Sequence, residues 1–150
     1  MAAAIRRARA LAAGFPTVVL RAGTAGWHTG RPAQPPSMAE LTARRIPSAH
    51  AARTVHADEF ADRDLILAIT HTSLARLDGL RPLATARAKL HLIRDFDTSG
   101  PPVREVPDPY GAGPPRSREV FGVLDAACRG LRTRISAGPP PWTCAPAGRR

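Results

Sequence analysis

Asp108 stands between Pro107 and Pro109, with Tyr110 next, in the run Val-Pro-Asp-Pro-Tyr-Gly-Ala-Gly from Val106 to Gly113. Prolines on both sides fix the local backbone, so such a loop can hold a carboxyl group over a cleft; the plainer reading is a turn opened by Asp before Pro. The cysteines are Cys128 and Cys144 only, too few for a disulfide framework or a Cys-rich metal site, and the five His lack the spacing of a zinc motif. No metal or other cofactor is expected. The formal charge of +10 comes from 21 Arg and the single Lys89 against 12 acidic residues, with the Arg spread along the chain. A basic surface attracts phosphate, acidic peptide or nucleic acid alike, so charge does not choose among them.

The elements that must position these residues follow from the apolar pattern. Residues 2–13 carry Ile5, Ala8, Leu11 and Ala12 at helical spacing, and Gly14 to Pro16 ends that helix. Thr17 to Leu20 is a short β-branched run that reads as a buried strand, and Gly23 to Ser37 reads as loop. Met38 to Arg45 is helical in composition, with Ser37 as candidate N-cap and Pro47 as its end; Ala57 to Ala61 reads as one helical turn. Asp64 to Ile69 is a continuous apolar run, the signature of a strand covered on both faces. A helix over Ser73 to Leu80 and a third strand over Lys89 to Phe96 follow, then a loop from Pro101 to Pro115. From Ser117 to Ile135 an apolar stripe of Val120, Val123, Leu124, Ala127, Leu131 and Ile135 marks an amphipathic helix. The alternation implies an α/β parallel sheet with helices on both faces. Residues 1–135 are expected to form one domain, and 136–150 a disordered tail.

Four segments, in order, resemble the low-molecular-weight protein tyrosine phosphatase family. They are RAGTAGWHTGRPAQP (Arg21 to Pro35), SAHAARTVHADEFADRDLILAIT (Ser48 to Thr70), LIRDFD (Leu92 to Asp97) and VPDPYGAG (Val106 to Gly113). The resemblance implies a three-layer flavodoxin-like sandwich with a parallel sheet in the order 2-1-3-4, of which the three strands here would be the second, third and fourth. In that family a first strand and a Cys-x5-Arg loop precede a Met-Ala helix. Met1 and Ala2 match that Met-Ala, so the chain is expected to be N-terminally truncated just after the loop.

Hydrolysing a tyrosine phosphate through a covalent intermediate needs an ionised nucleophile, donors around the phosphoryl oxygens and an acid for the leaving phenolate. The resemblance implies that Asp108 is the general acid and that Trp27 and Tyr110 wall the cleft and stack on the substrate ring. Cys128 with Arg134, and Cys144 with Arg150, formally fit Cys-x5-Arg, a match that chance readily supplies in so Arg-rich a chain. Cys128 falls inside a helix, where the amides are already bonded, and Cys144 falls in a proline-rich tail, so neither is expected to replace the nucleophile. Arg21 stands in place of a small Ser, Thr70 in place of an Asp and Gly111 in place of a second aromatic; His50 and Arg53 read as structural.

The resemblance therefore implies a protein tyrosine phosphatase acting on phosphotyrosine proteins, inactive as this chain without the nucleophile loop. A non-catalytic module binding phosphorylated or acidic partners is the alternative. An arsenate reductase would need more cysteines. Two Trp and one Tyr offer little for base stacking, so nucleic acid is not expected as a partner. No apolar run approaches the roughly 20 residues of a membrane span, and the chain reads as cytoplasmic and soluble.

Overall fold

The computed structural model describes residues 1–12, 14, 18–26, 29–48, 51–80 and 84–138. The described residues form four helices, α1 (Ala2–Ala12), α2 (Pro35–Ala43), α3 (His71–Leu80) and α4 (Gly113–Ser136). Two short strands, β1 (Ile66–Ala68) and β2 (Leu90–Leu92), pair in parallel with Ile66 opposite Leu90 and Ala68 opposite Leu92. Short 3-10 segments cover Ala57–Phe60, Ala84–Lys89 and Ile93–Phe96.

Side chains alternate across a strand, and that alternation builds the layers. Ile66 and Ala68 of β1, with Leu90 and Leu92 of β2, face Phe60 and the Leu74–Leu77 stripe of α3. Leu67 points the other way, toward the clusters built on α4. On that side α4 is the hub: Val120, Phe121, Leu124, Ala127 and Cys128 pack with Ala4 and Ile5 of α1, Leu41 of α2 and Ile93, and Leu131 packs with Phe96. A parallel pair covered on both faces by helices is the α/β layering that the apolar pattern implies.

Polar anchors fix the helices to this hub. Asp125, buried in α4, accepts from Arg9 of α1 at Nε (2.9 Å) and Nη2 (2.6 Å) and also from Arg129. Arg44, just past α2, pairs with Glu40 at 2.8 Å and lays its guanidinium over the Phe121 ring, 4.2 Å from the centroid.

Several expectations need correction. Thr17 lies outside the described residues, and residues 18–20 form no strand, with Val18 83% exposed. A β-branched run becomes a strand only with a ladder partner, and among the described residues the bridge nearby is Gly23 with Thr54. The strand expected over Lys89 to Phe96 ends at Leu92, because the Asp95 carboxylate takes the Leu92 N–H at 3.2 Å and turns the backbone into a 3-10 turn. Gln34, not Ser37, is the N-cap of α2: Pro35 and Pro36 supply the first turn with φ already set. The same device starts α4 at Gly113, ahead of Pro114 and Pro115, so the loop after Pro101 is shorter than expected. Ser136 still belongs to α4, and the tail beyond residue 138 lies outside the described residues.

Candidate active site

Thr70 ends the β1 connection and caps α3: its Oγ1 accepts the Ser73 N–H at 3.1 Å. That local role accounts for a short hydroxyl side chain at this position. One residue earlier, the Ile69 carbonyl accepts the Val106 N–H at 2.9 Å, and Val106 is buried. This bond brings the proline-bracketed loop to the C-terminal end of β1, the end of a parallel sheet at which ligands collect.

Beyond Val106 the loop leaves the core. Asp108 is exposed, and its Oδ1 accepts the Tyr110 N–H at 2.9 Å, the bond of an Asx turn. Tyr110 is 62% exposed. Gly111 follows at φ 70°, a left-handed conformation that an aromatic residue would adopt only under strain, so glycine there fits the turn. Asp108 borders a cleft of about 570 Å³ whose wall includes Thr70, Arg94, Glu105, Arg116 and Glu119.

Arg94 is the side chain that composition and spacing did not single out. It is buried, its Nη1 donates to the Glu105 carbonyl at 3.1 Å, and its Nη2 lies 3.6 Å from the Asp97 carboxylate. Its Nε has no protein partner. Burial pushes the Asp97 carboxyl up, but bonds from Ser99 and Gly100 and the charge of Arg94 outweigh it, and the group stays below its usual range. The available signal was a lone Arg inside the apolar run Leu-Ile-Arg-Asp-Phe.

The other candidates separate from this cleft. Arg53 forms a two-pronged pair with Glu59 (2.6 and 2.7 Å), which lowers the Glu59 carboxyl to about 2. Arg53 lines a second, smaller cleft of about 190 Å³ together with Arg7 and Arg21. Cys128 is sealed in α4 at 0% exposure. Burial is the main cause that lifts its thiol to about 11, with Asp125 adding and Arg6 and Arg9 opposing. Trp27, His50 and Cys144 lie outside the described residues. Among the described residues, no group of three or more His, Cys, Asp or Glu is placed to hold a metal, and no helix is long and apolar enough to cross a membrane.

The family model for low molecular weight phosphotyrosine protein phosphatase matches residues 1–138. A low molecular weight protein-tyrosine-phosphatase of Streptomyces coelicolor is 36% identical over 139 residues, covering 90% of this chain and 84% of that protein. Low molecular weight protein-tyrosine phosphatase A of Mycobacterium bovis is 36% identical over 114 residues, 75% of this chain and 68% of that one. Among solved structures, a protein tyrosine phosphatase from Entamoeba histolytica superposes over 91% of this chain and 88% of its own with a TM-score of 0.86. At 24% identity that likeness speaks for the flavodoxin-like α/β fold alone. The sequence matches carry the rest: the chain belongs to the low molecular weight phosphotyrosine protein phosphatase family.

Proposed function

We propose that this chain carries the acid side of a phosphotyrosine phosphatase site, with Asp108 as proton donor and Tyr110 and Trp27 as the aromatic walls, and that residues 1–150 alone do not turn over. The substrate class is a phosphotyrosyl protein, by analogy with the names of its relatives. In the reaction a thiolate attacks phosphorus, the bond from phosphorus to the aryl oxygen breaks, and Asp108 protonates the departing oxygen. Water then cleaves the cysteinyl phosphate.

The observation that carries the reading is the contrast between Asp108 and Cys128. Asp108 is exposed beside a cleft roomy enough for an aryl phosphate. Cys128, the one cysteine among the described residues, is buried in a helix with its thiol lifted to about 11. A thiol so placed is neither ionised near neutral pH nor able to reach a substrate in the Asp108 cleft. A binding module remains a second reading because three arginines, Arg7, Arg21 and Arg53, gather at the smaller cleft. Such a module would hold a phosphotyrosyl peptide without consuming it.

Hydrolysis of para-nitrophenyl phosphate tests the first reading. Residues 1–150 should give no rate above background, while the same chain preceded by the family's strand and Cys-x5-Arg loop should be active. In that active chain Asp108→Asn should cost about 100-fold to 10,000-fold in kcat, the usual range for a positioned acid. Turnover by residues 1–150 that vanished in Cys128→Ser would overturn the reading, and so would an Asp108→Asn variant as fast as its parent.

A further inference from the structure

The residue three positions before Asp108 is held in an unusual way. Glu105 is exposed, yet its Oε1 accepts the main-chain N–H of His71 at 2.7 Å and lies 3.0 Å from His71 Nδ1. His71 is the first residue of α3. Its N–H is one of the donors that a helix start leaves without an intrahelical partner, and the helix dipole favours an anion there. Thr70 satisfies the Ser73 N–H two positions on, so the two side chains divide the cap of α3 between them. The bond from His71 N–H is the main cause that holds the Glu105 carboxyl below its ordinary range. The Glu105 main chain is gripped as well, its carbonyl by Arg94 Nη1 and the next amide, Val106, by the Ile69 carbonyl. Arg104, on the other side, pairs with Asp95 at 2.8 Å through Nε.

We propose that Glu105 is a positioning residue: by capping α3 through His71 it latches the stem of the Asp108 loop to the junction of β1 and α3 and so sets the direction of the Asp108 carboxyl. Assigning Asp108 as the acid rests on the function proposed above; the latch does not. Asp108 follows the gripped Val106 amide closely, and the residue between them, Pro107, cannot turn about φ. A stem pinned at side chain, carbonyl and amide therefore passes its orientation on to the turn at Asp108 and Tyr110. Release of Glu105 leaves the stem on the Arg94 and Ile69 main-chain bonds and the Arg104–Asp95 pair, with nothing tying it to the start of α3.

The test uses residues 1–150 and needs no turnover. Amide hydrogen exchange at Val106, and the NMR signals of the Asp108 carboxyl carbon and the Tyr110 amide, are compared in the parent, Glu105→Ala, Glu105→Gln and His71→Ala. Glu105→Ala should raise the Val106 exchange rate at least about tenfold, as expected when a local closing contact is lost, and should shift both Asp108 and Tyr110 signals. Glu105→Gln, whose amide oxygen can still accept the His71 N–H, should restore both. His71→Ala keeps its N–H and should fall between. Exchange and signals unchanged in Glu105→Ala would overturn the latch. Faster exchange with the Asp108 and Tyr110 signals unmoved would overturn the positioning role. Because no arm measures phosphate hydrolysis, loss of the phosphatase reading and loss of the latch are told apart.

Discussion

Gly130 of α4 lies directly against the main-chain carbonyl of Phe96, so close that a methyl group added at Gly130 would overlap the Phe96 oxygen. Both obstructing atoms are backbone, and the Phe96 turn is itself buried between β2 and α4, so nothing flexible can step aside. Gly130→Ala gains about 1 kcal/mol in helix propensity but meets overpacking that costs about 1–3 kcal/mol or more, and the second effect should win. Gly122, two turns earlier on the same helix, is exposed with nothing within 4 Å of its would-be Cβ. Gly122→Ala should therefore raise the melting temperature by about 2–4 °C. Gly130→Ala should lower it. A Gly130→Ala chain melting at or above the parent would show that α4 does not pack this closely on the Phe96 turn.

How much of this arrangement was legible differs from element to element. The α4 stripe stood out because a 3.6-residue period sustained over many turns is what a helix with one buried face produces and a strand or loop does not. The Asp64 to Ile69 run stood out because a strand covered on both faces reads as a continuous apolar stretch, but the strand itself is shorter, Ile66–Ala68, and Ile69 is 45% exposed. The early end of β2 was hidden, because it depends on one bond from Asp95 back to the Leu92 N–H rather than on propensity. Arg94 was hidden too. Its burial depends on a carbonyl, that of Glu105, supplied from 11 positions away. The Glu105 cap on α3 spans 34 positions, beyond any local pattern. Asp108 was found through the resemblance of the run from Val106 to Gly113 to an acid loop, and the turn that the plainer reading expects is present, with the Tyr110 N–H bonded to its carboxylate. A turn-forming Asp can also be a proton donor.

Cys128 should behave as an inert thiol. Burial lifts its thiol to about 11, so the thiolate, which is the reactive form, is scarce at neutral pH. The side chain is also fully covered by the α1 and α4 packing around Ala4, Ile5 and Leu124. In a Cys144→Ser background, alkylation of Cys128 by iodoacetamide should be at least about 100-fold slower in the folded chain than in denaturant. Equal rates would mean that the thiol reaches solvent, and its dismissal as a nucleophile would need revision.

Acid should weaken the fold through Glu59. Its carboxyl sits at about 2 instead of 4.5, chiefly because Arg53 donates two short bonds to it, with burial opposing and the His56 N–H assisting at 3.1 Å. A carboxyl lowered in the folded state contributes stability that is fully present above its unfolded pKa and is lost as pH falls through the folded value. Between about pH 4.5 and 2 the unfolded chain binds a proton at this site that the folded chain does not, so melting temperature should drop across that window. Asp97 and Glu105 are lowered as well and add to the same slope. Arg53, also raised by its partner, titrates far above this range and plays no part in it. Because the pair is partly exposed, with Arg53 40% accessible, the effect should shrink in high salt. Melting curves at several pH values decide the point: Glu59→Gln should melt below the parent at neutral pH, lose less on acidification, and converge with it near the folded pKa. Parallel curves for parent and variant down to about pH 3 would show that the slope arises elsewhere, because a Gln at this position binds no proton in either state.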